Sequence, residues 1–214
     1  MILARHGHDV HAIDSSAQMA RLTGARADRE GLGRQVHAAT GDAHSLDFDD
    51  RAFDLVVAVG VIPWLHDPAR ALMEMARVLV PGGGLVLTAD NRARLNVMTE
   101  PRGHPLLTPV LEVRRAWRRR HSPAEPGAIS RQHSRRQVDA LLAQAGLKPL
   151  GGSTVGYGPF TFMGRPVFGE ATALRVEKRL SALALRGVPG LDRTGWHHVV
   201  GARAPKQPAP VSPR

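Results

Sequence analysis

The chain has 214 residues and a formal net charge of +10, with 43% hydrophobic and 22% charged residues. This balance is typical of a folded domain with a sizeable core, and no apolar run approaches the ~18 residues of a membrane-spanning helix. Cysteine is absent from the sequence, which excludes disulfides, thiolate zinc sites and iron–sulfur clusters. The first residues do not resemble a secretory signal, so we expect a cytoplasmic protein.

The positive charge belongs to the second part of the chain. Residues 1–91 carry a net charge of −4, whereas residues 92–214 carry +14. Such a basic half is typical of a protein that binds RNA, phosphate or an acidic membrane surface, but a solvated basic face has the same composition. The arginines of residues 114–120 are accompanied by one aromatic residue, Trp117, which is not the aromatic interleaving typical of RNA readers, so nucleic acid is not the expected partner. An apolar stripe beside basic residues near 174–185 leaves peripheral membrane contact open.

Up to about residue 90, short apolar runs alternate with helical stretches, a pattern that predicts a parallel sheet covered by helices. The run Leu55–Val59 is continuously apolar, which is typical of a strand buried on both faces. Ser15 or Ser16 can cap the helix that follows the first strand, and Asp67-Pro68 can begin the next helix, because proline suits the first helical turn. The predicted elements are strands at Val10–Asp14, Gln35–Ala39, Leu55–Val59 and Leu85–Ala89, and helices from Ser15 or Ser16 to Arg29 and from Asp67 to Leu79, the second ended by Pro81–Gly84.

Beyond residue 91 the periodicity is lost, and residues 92–133 are predicted to form a basic lid or a substrate-facing insertion. Residues 205–214 contain four prolines and are predicted to be a disordered tail, which leaves one domain at residues 1–204. Between these two segments we expect helices at Ser134–Ala145 and Glu170–Arg186 and two late antiparallel strands at Lys148–Val155 and Trp196–Ala202.

Four segments occur in a fixed order: Val10–Asp14, Gly41-Asp42-Ala43, Phe53–Gly60 and Arg77–Thr88. Together they resemble strands two to five of the class I S-adenosylmethionine-dependent methyltransferases, and most closely the small-molecule branch similar to quinone-biosynthesis enzymes. The resemblance implies an α/β fold with a Rossmann-like, doubly wound, mostly parallel sheet that ends in an antiparallel hairpin. It also implies S-adenosylmethionine as cofactor and methyl transfer to a small acceptor. Loops rich in Leu, Phe and Pro favour an apolar or lipid-like acceptor.

The family's first strand and its Gly-x-Gly loop have no counterpart, and Met1–Gly7 is predicted to be the end of the helix that follows that loop. We therefore expect a sheet without its first strand, with a gap or a substitute element between Val10–Asp14 and Leu55–Val59. Cofactor binding by such a chain should be very weak, and the enzyme could be inactive. The alternative is a non-catalytic remnant that binds an anionic partner through its basic half. A nicotinamide-dependent oxidoreductase would share the acidic residue at position 14 but would not explain Gly41-Asp42-Ala43.

The resemblance also assigns roles to individual residues. It implies ribose binding by Asp14 beside Ser15, packing of Met19 on adenine, contacts of Asp42 and Ala43 with the adenine edge, and a methionine pocket lined by Gly60. From the residues alone, Asp14 could equally be a helix cap and Asp42 a turn residue.

Methyl transfer needs a base only when the acceptor must lose a proton. Relatives often carry Glu-His in the loop after the fourth strand, but Pro63 and Trp64 stand there in this chain. His66 is therefore the nearest candidate base, and the other candidates are His104, His121, His133 and Tyr157. The histidines near the N-terminus and the pair His197-His198 have no standard metal-ligand spacing, so no metal site is expected.

Overall fold

The computed structural model describes residues 1–95, 132–158, 160–162 and 165–206. Most of the predicted basic insertion and most of the predicted tail therefore lie outside the described residues. The helices are α1 (Ile2–Arg5), α2 (Ala17–Arg29), α3 (Pro68–Arg77), α4 (Arg135–Gln144), α5 (Glu170–Leu185) and α6 (Leu191–Thr194), with a 3-10 turn at Ile62–Trp64. The strands are β1 (Val10–Asp14), β2 (Val36–Thr40), β3 (Phe53–Ala58), β4 (Leu79–Asp90), β5 (Lys148–Val155), β6 (Thr161–Phe162), β7 (Arg165–Pro166) and β8 (His197–Arg203).

The strands confirm a mixed α/β fold. β1 pairs with β2 in parallel, and β3 pairs with β4 in parallel. β8 lies between β4 and β5 and runs antiparallel to both, so the larger sheet has the order β3-β4-β8-β5. This places the predicted late antiparallel pair beside the parallel strands, while β6 and β7 form a small hairpin that the sequence did not predict.

The parallel strands belong to two separate sheets. Within the described part of the chain β1 pairs only with β2, and β3 pairs only with β4, which confirms the expected gap. The prediction that Leu55–Val59 is buried on both faces is wrong. Val56 and Ala58 pack into the core, but Leu55, Val57 and Val59 on the other face are 43%, 46% and 65% exposed.

The main core lies between the larger sheet and the helices α3 and α4. Leu72 and Met75 of α3 and Val138 and Leu142 of α4 are buried there against strand residues such as Leu87. A smaller cluster, formed around Ala4, Ala27 and Val36, joins α1 and α2 to the two-stranded sheet. No helix within the described ranges is long and apolar enough to cross a membrane.

The predicted helix starts are confirmed by their caps. The side chains of Ser16 and Asp67 accept hydrogen bonds from the backbone N–H groups of Met19 and Arg70. Ser134 and Gln137 form a reciprocal capping box at the start of α4.

The glycine-rich segment after α3 differs from its prediction. β4 begins at Leu79 and includes Pro81–Gly84, which were predicted to be a turn before the strand. The ladder with β3 shifts register here, from Phe53 opposite Leu79 to Leu55 opposite Gly84. A Cβ atom on Gly83 would lie 2.9 Å from the Val80 carbonyl oxygen, so this close approach requires glycine.

Candidate functional site

The carboxyl ends of β1 and β2 bring two of the predicted residues to one edge of the smaller sheet. Asp14 ends β1 opposite Thr40, the last residue of β2, and Asp42 follows Thr40 by two residues. Ligands of open α/β sheets bind outside the carboxyl ends of parallel strands. The two carboxylates therefore lie where such a ligand would be expected.

Asp14 is exposed and its side chain is held by the start of α2. Its Oδ1 atom accepts a hydrogen bond from the Ser16 N–H at 2.8 Å. Ser15 and Met19 are exposed beside it, and Met19 keeps 49% of its surface accessible in the first turn of α2. This bond forms a local turn before α2, whose capping residue is Ser16. It fixes the orientation of the Asp14 carboxylate.

Asp42 is exposed and is held by His44. Its Oδ1 atom accepts hydrogen bonds from the His44 backbone N–H at 2.9 Å and from His44 Nδ1 at 2.7 Å. These two hydrogen bonds hold the pKa of Asp42 below its ordinary value, and the bond from the His44 backbone has the larger effect. Asp42 is therefore an ionised, oriented acceptor at neutral pH. The Ser45 N–H donates to the Asp42 carbonyl at 3.0 Å and closes the turn.

His44 is a site residue that the sequence analysis missed. It is buried, and its Nε2 atom accepts a hydrogen bond from the Asp67 N–H at 3.3 Å. Because Nε2 accepts, Nδ1 carries the proton that is donated to Asp42. The ring of His66 stacks on that of His44 with centroids 3.8 Å apart. The structure thus brings His66, the candidate base, to the loop that holds Asp42.

Gly60 follows β3 in a backbone conformation that favours glycine. Its φ angle is +72°, and its N–H donates to Thr88 Oγ1 in β4 at 2.8 Å. Ala43 is half-buried against the main core. Gly60 lies two residues after the end of β3, next in the chain to the exposed apolar residues Leu55, Val57 and Val59.

The other candidate bases have different surroundings. Tyr157 is buried, and its hydroxyl donates to the Leu191 carbonyl at 2.6 Å, which is a structural role. The backbone N–H of His133 donates to the Asp90 carbonyl at 2.8 Å, beside β4. His104 and His121 lie outside the described residues.

Residues 1–87 match the family model described as a methyltransferase domain. An uncharacterised protein in a transposon of Streptomyces fradiae is 36% identical over 143 residues, which are 66% of this chain and 38% of that protein. Demethylmenaquinone methyltransferase of Lactiplantibacillus plantarum is 33% identical over 102 residues, 48% of this chain and 39% of the enzyme. The chain thus spans less than half the length of these curated relatives.

The fold is also similar to a solved structure described as a methyltransferase dependent on S-adenosylmethionine, from Methanosarcina mazei. The TM-score is 0.60 at 17% identity, with 96% of this chain and 86% of that chain covered. At this level of identity the likeness concerns the fold alone. It extends the match beyond residue 87, into the antiparallel part of the larger sheet.

Proposed function

We propose that this chain binds S-adenosylmethionine at the edge of the smaller sheet that carries Asp14 and Asp42. The proposal starts from the membership of residues 1–87 in the class I S-adenosylmethionine-dependent methyltransferases. We further propose methyl transfer to a small, apolar or lipid-like acceptor. The observation that carries the proposal is the pair of exposed, oriented carboxylates after two adjacent parallel strands.

The adenosine part of the cofactor fits these carboxylates chemically. Ribose hydroxyls and the adenine amino group are hydrogen-bond donors, and ionised carboxylates are acceptors only. Asp14 is proposed to accept from the ribose hydroxyls and Asp42 from the adenine amino group. Ser15 lies beside Asp14, the exposed thioether of Met19 provides an apolar contact for the adenine ring, and the backbone of Ala43 provides its edge contact.

The end of β3 is proposed to line the methionine part of the cofactor. Gly60 has no side chain at this point, so the backbone is open to a close approach. The bound cofactor would supply a methyl group carried by a sulfonium sulfur. When the acceptor bonds to this methyl group, the carbon–sulfur bond breaks and the sulfur leaves as a neutral thioether. The chain's contribution is then mainly to hold the two reactants in line.

The proposed apolar acceptor is supported by the surface around Gly60. Leu55, Val57 and Val59 present an exposed apolar face before it, and Trp64 in the following turn is 60% exposed. The relative from Lactiplantibacillus plantarum is named for a quinone-type acceptor. Where the acceptor must lose a proton, His66 is proposed as the base that receives it.

The cofactor site can be tested by nuclear magnetic resonance titration of residues 1–214 with S-adenosylhomocysteine, which detects weak binding. We expect saturable shifts of the backbone amides of Ser16, Ala43 and Gly60. Asp14→Asn and Asp42→Asn should each weaken the apparent affinity. Asp49→Asn is the matched control, because Asp49 is an exposed carboxylate in the loop that follows Asp42. Equal affinities in the three variants would contradict the assignment of the site.

The role of His66 requires a separate measurement. With an acceptor whose attacking atom carries a proton, His66→Gln should lower kcat and leave S-adenosylhomocysteine binding unchanged. An unchanged kcat in His66→Gln would rule out His66 as the base, while the assignment of the binding site would stand.

A further inference from the structure

Asp9, His11 and His37 form a cluster at the opposite end of β1 from the proposed cofactor site. Their ligand atoms all lie within 4.8 Å of one another. His37 Nε2 is 2.8 Å from Asp9 Oδ1, and His11 Nε2 is 3.9 Å from Asp9 Oδ2. The rings of the two histidines are stacked with centroids 4.9 Å apart.

The parallel pairing of β1 and β2 creates this cluster. His11 and His37 are direct register partners, so their side chains leave the same face of the smaller sheet. Asp9 immediately precedes β1. At ~3.3 Å per residue, five residues separate this carboxylate from Asp14 by roughly 15 Å, so the cluster is distinct from the cofactor site.

We propose that Asp9, His11 and His37 bind one divalent transition-metal ion, for which Zn²⁺ is the probe. Two imidazole nitrogens and one carboxylate oxygen are a ligand set that zinc accepts, with bonds of about 2.0–2.2 Å and water in the fourth position. Around such an ion the ligand atoms lie about 3–3.5 Å apart. Modest side-chain rotations therefore convert the observed cluster into a coordination site.

Two features of the cluster favour metal binding over a simple ion pair. The ring of His11 is held in place by edge contacts with Phe48 and Phe53, at centroid distances of 5.4 and 5.5 Å. The three side chains are also 37–68% exposed, so an ion can enter and keep a water ligand. The sequence spacing did not reveal the site, because His11 and His37 are neighbours only through the strand pairing.

The test is calorimetric titration of the tag-free chain with Zn²⁺. We expect one saturable site per chain, which Asp9→Asn and His37→Ala abolish. Both substitutions are at exposed positions, so the fold should be retained. His8→Ala is the control, because His8 is an exposed histidine next to Asp9 and is not part of the cluster.

Thermal unfolding provides a second measurement. At a Zn²⁺ concentration 100 times its Kd, the ratio of folded to unfolded chain should rise about 100-fold. This gain should appear in the unsubstituted chain and in His8→Ala, and it should be absent in Asp9→Asn. The proposal is overturned if Asp9→Asn binds Zn²⁺ as tightly as the unsubstituted chain, or if His8→Ala loses as much affinity as His37→Ala.

Discussion

Gly60 and Gly146 offer a matched pair of substitutions that separates backbone strain from cofactor binding. Both have a φ angle of +72°, and a Cβ atom on either would meet no atom within 4 Å. Alanine at each position therefore introduces the same backbone strain and no clash. Holding an L-residue in this left-handed conformation costs roughly 1–2 kcal/mol. Gly60→Ala and Gly146→Ala should therefore lower the free energy of unfolding by similar amounts, which urea denaturation measures.

Their effects on cofactor binding should differ. Gly60 follows β3 and lies at the proposed methionine pocket. Gly146 follows α4, away from that pocket, and its N–H donates to the Ala143 carbonyl at 3.0 Å. The backbone strain is present in the free folded chain of both variants and therefore cancels in binding, but the Cβ atom of Gly60→Ala occupies space that the close approach of the cofactor needs. A steric cost of roughly 1–2 kcal/mol at this contact weakens S-adenosylhomocysteine binding about 5–30-fold. Resonance titrations of both variants measure the difference, and equal affinities for Gly60→Ala and Gly146→Ala would refute the reasoning.

Three further predictions concern polar groups of the fold. The buried Asn91 side chain donates to the Arg193 and Gly195 carbonyls and accepts from the Ala93 N–H. Asn91→Ala should therefore lower the free energy of unfolding by about 3 kcal/mol, at ~1 kcal/mol per hydrogen bond. A decrease below ~1 kcal/mol in urea denaturation would contradict this. The pKa of Asp42 is lowered by His44, so its contribution to stability is present above the ordinary aspartate pKa and is lost as the pH falls through the lowered value. The difference in Tm between the unsubstituted chain and Asp42→Asn should accordingly vanish in strong acid, and a pH-independent difference would argue against the His44 contacts. Burial, and then Arg135, lower the pKa of His198, while Asp139 acts in the opposite sense. Below the ordinary histidine pKa, the unfolded chain binds a proton at His198 that the folded chain does not bind, so Tm should fall between pH 7 and 5. His198→Gln should make Tm less dependent on pH in this range, and an unchanged dependence would contradict the role of His198.

The features of this fold that depend on neighbouring residues in the sequence were the most predictable. Ser16, Asp67 and Ser134 were identified as helix starts because capping depends on residues within one turn. The order of the strands up to residue 90 followed from the apolar runs and their spacing. Asp14 and Asp42 were placed at strand ends for the same reason, and the structure puts both at the carboxyl edge of the smaller sheet.

Features that depend on tertiary contacts were not predictable. His44 is a site residue because of its bonds to Asp42 and Asp67, which are set by the packing of two loops. The apolar run at Leu55–Val59 indicated two buried faces, because composition alone does not show that the main core covers only one of them. The start of β4 at Leu79 was hidden by Pro81–Gly84, which have the composition of a turn but continue a strand with shifted register.

The division of the sheet has a consequence for the dynamics of the chain. The elements of residues 1–40 have their own small apolar cluster around Ala4, Ala27 and Val36, whereas the larger sheet is built on the main core. Units with few buried apolar contacts open with a lower free energy than the rest of a protein. We therefore expect amides of β1 and β2 to exchange with deuterium faster than those of β4 and β8. The contacts of His11 with Phe48 and Phe53 already join the two units. A cofactor that contacts both Asp14 and Gly60 would add to them, and its binding should slow exchange most strongly in residues 1–40.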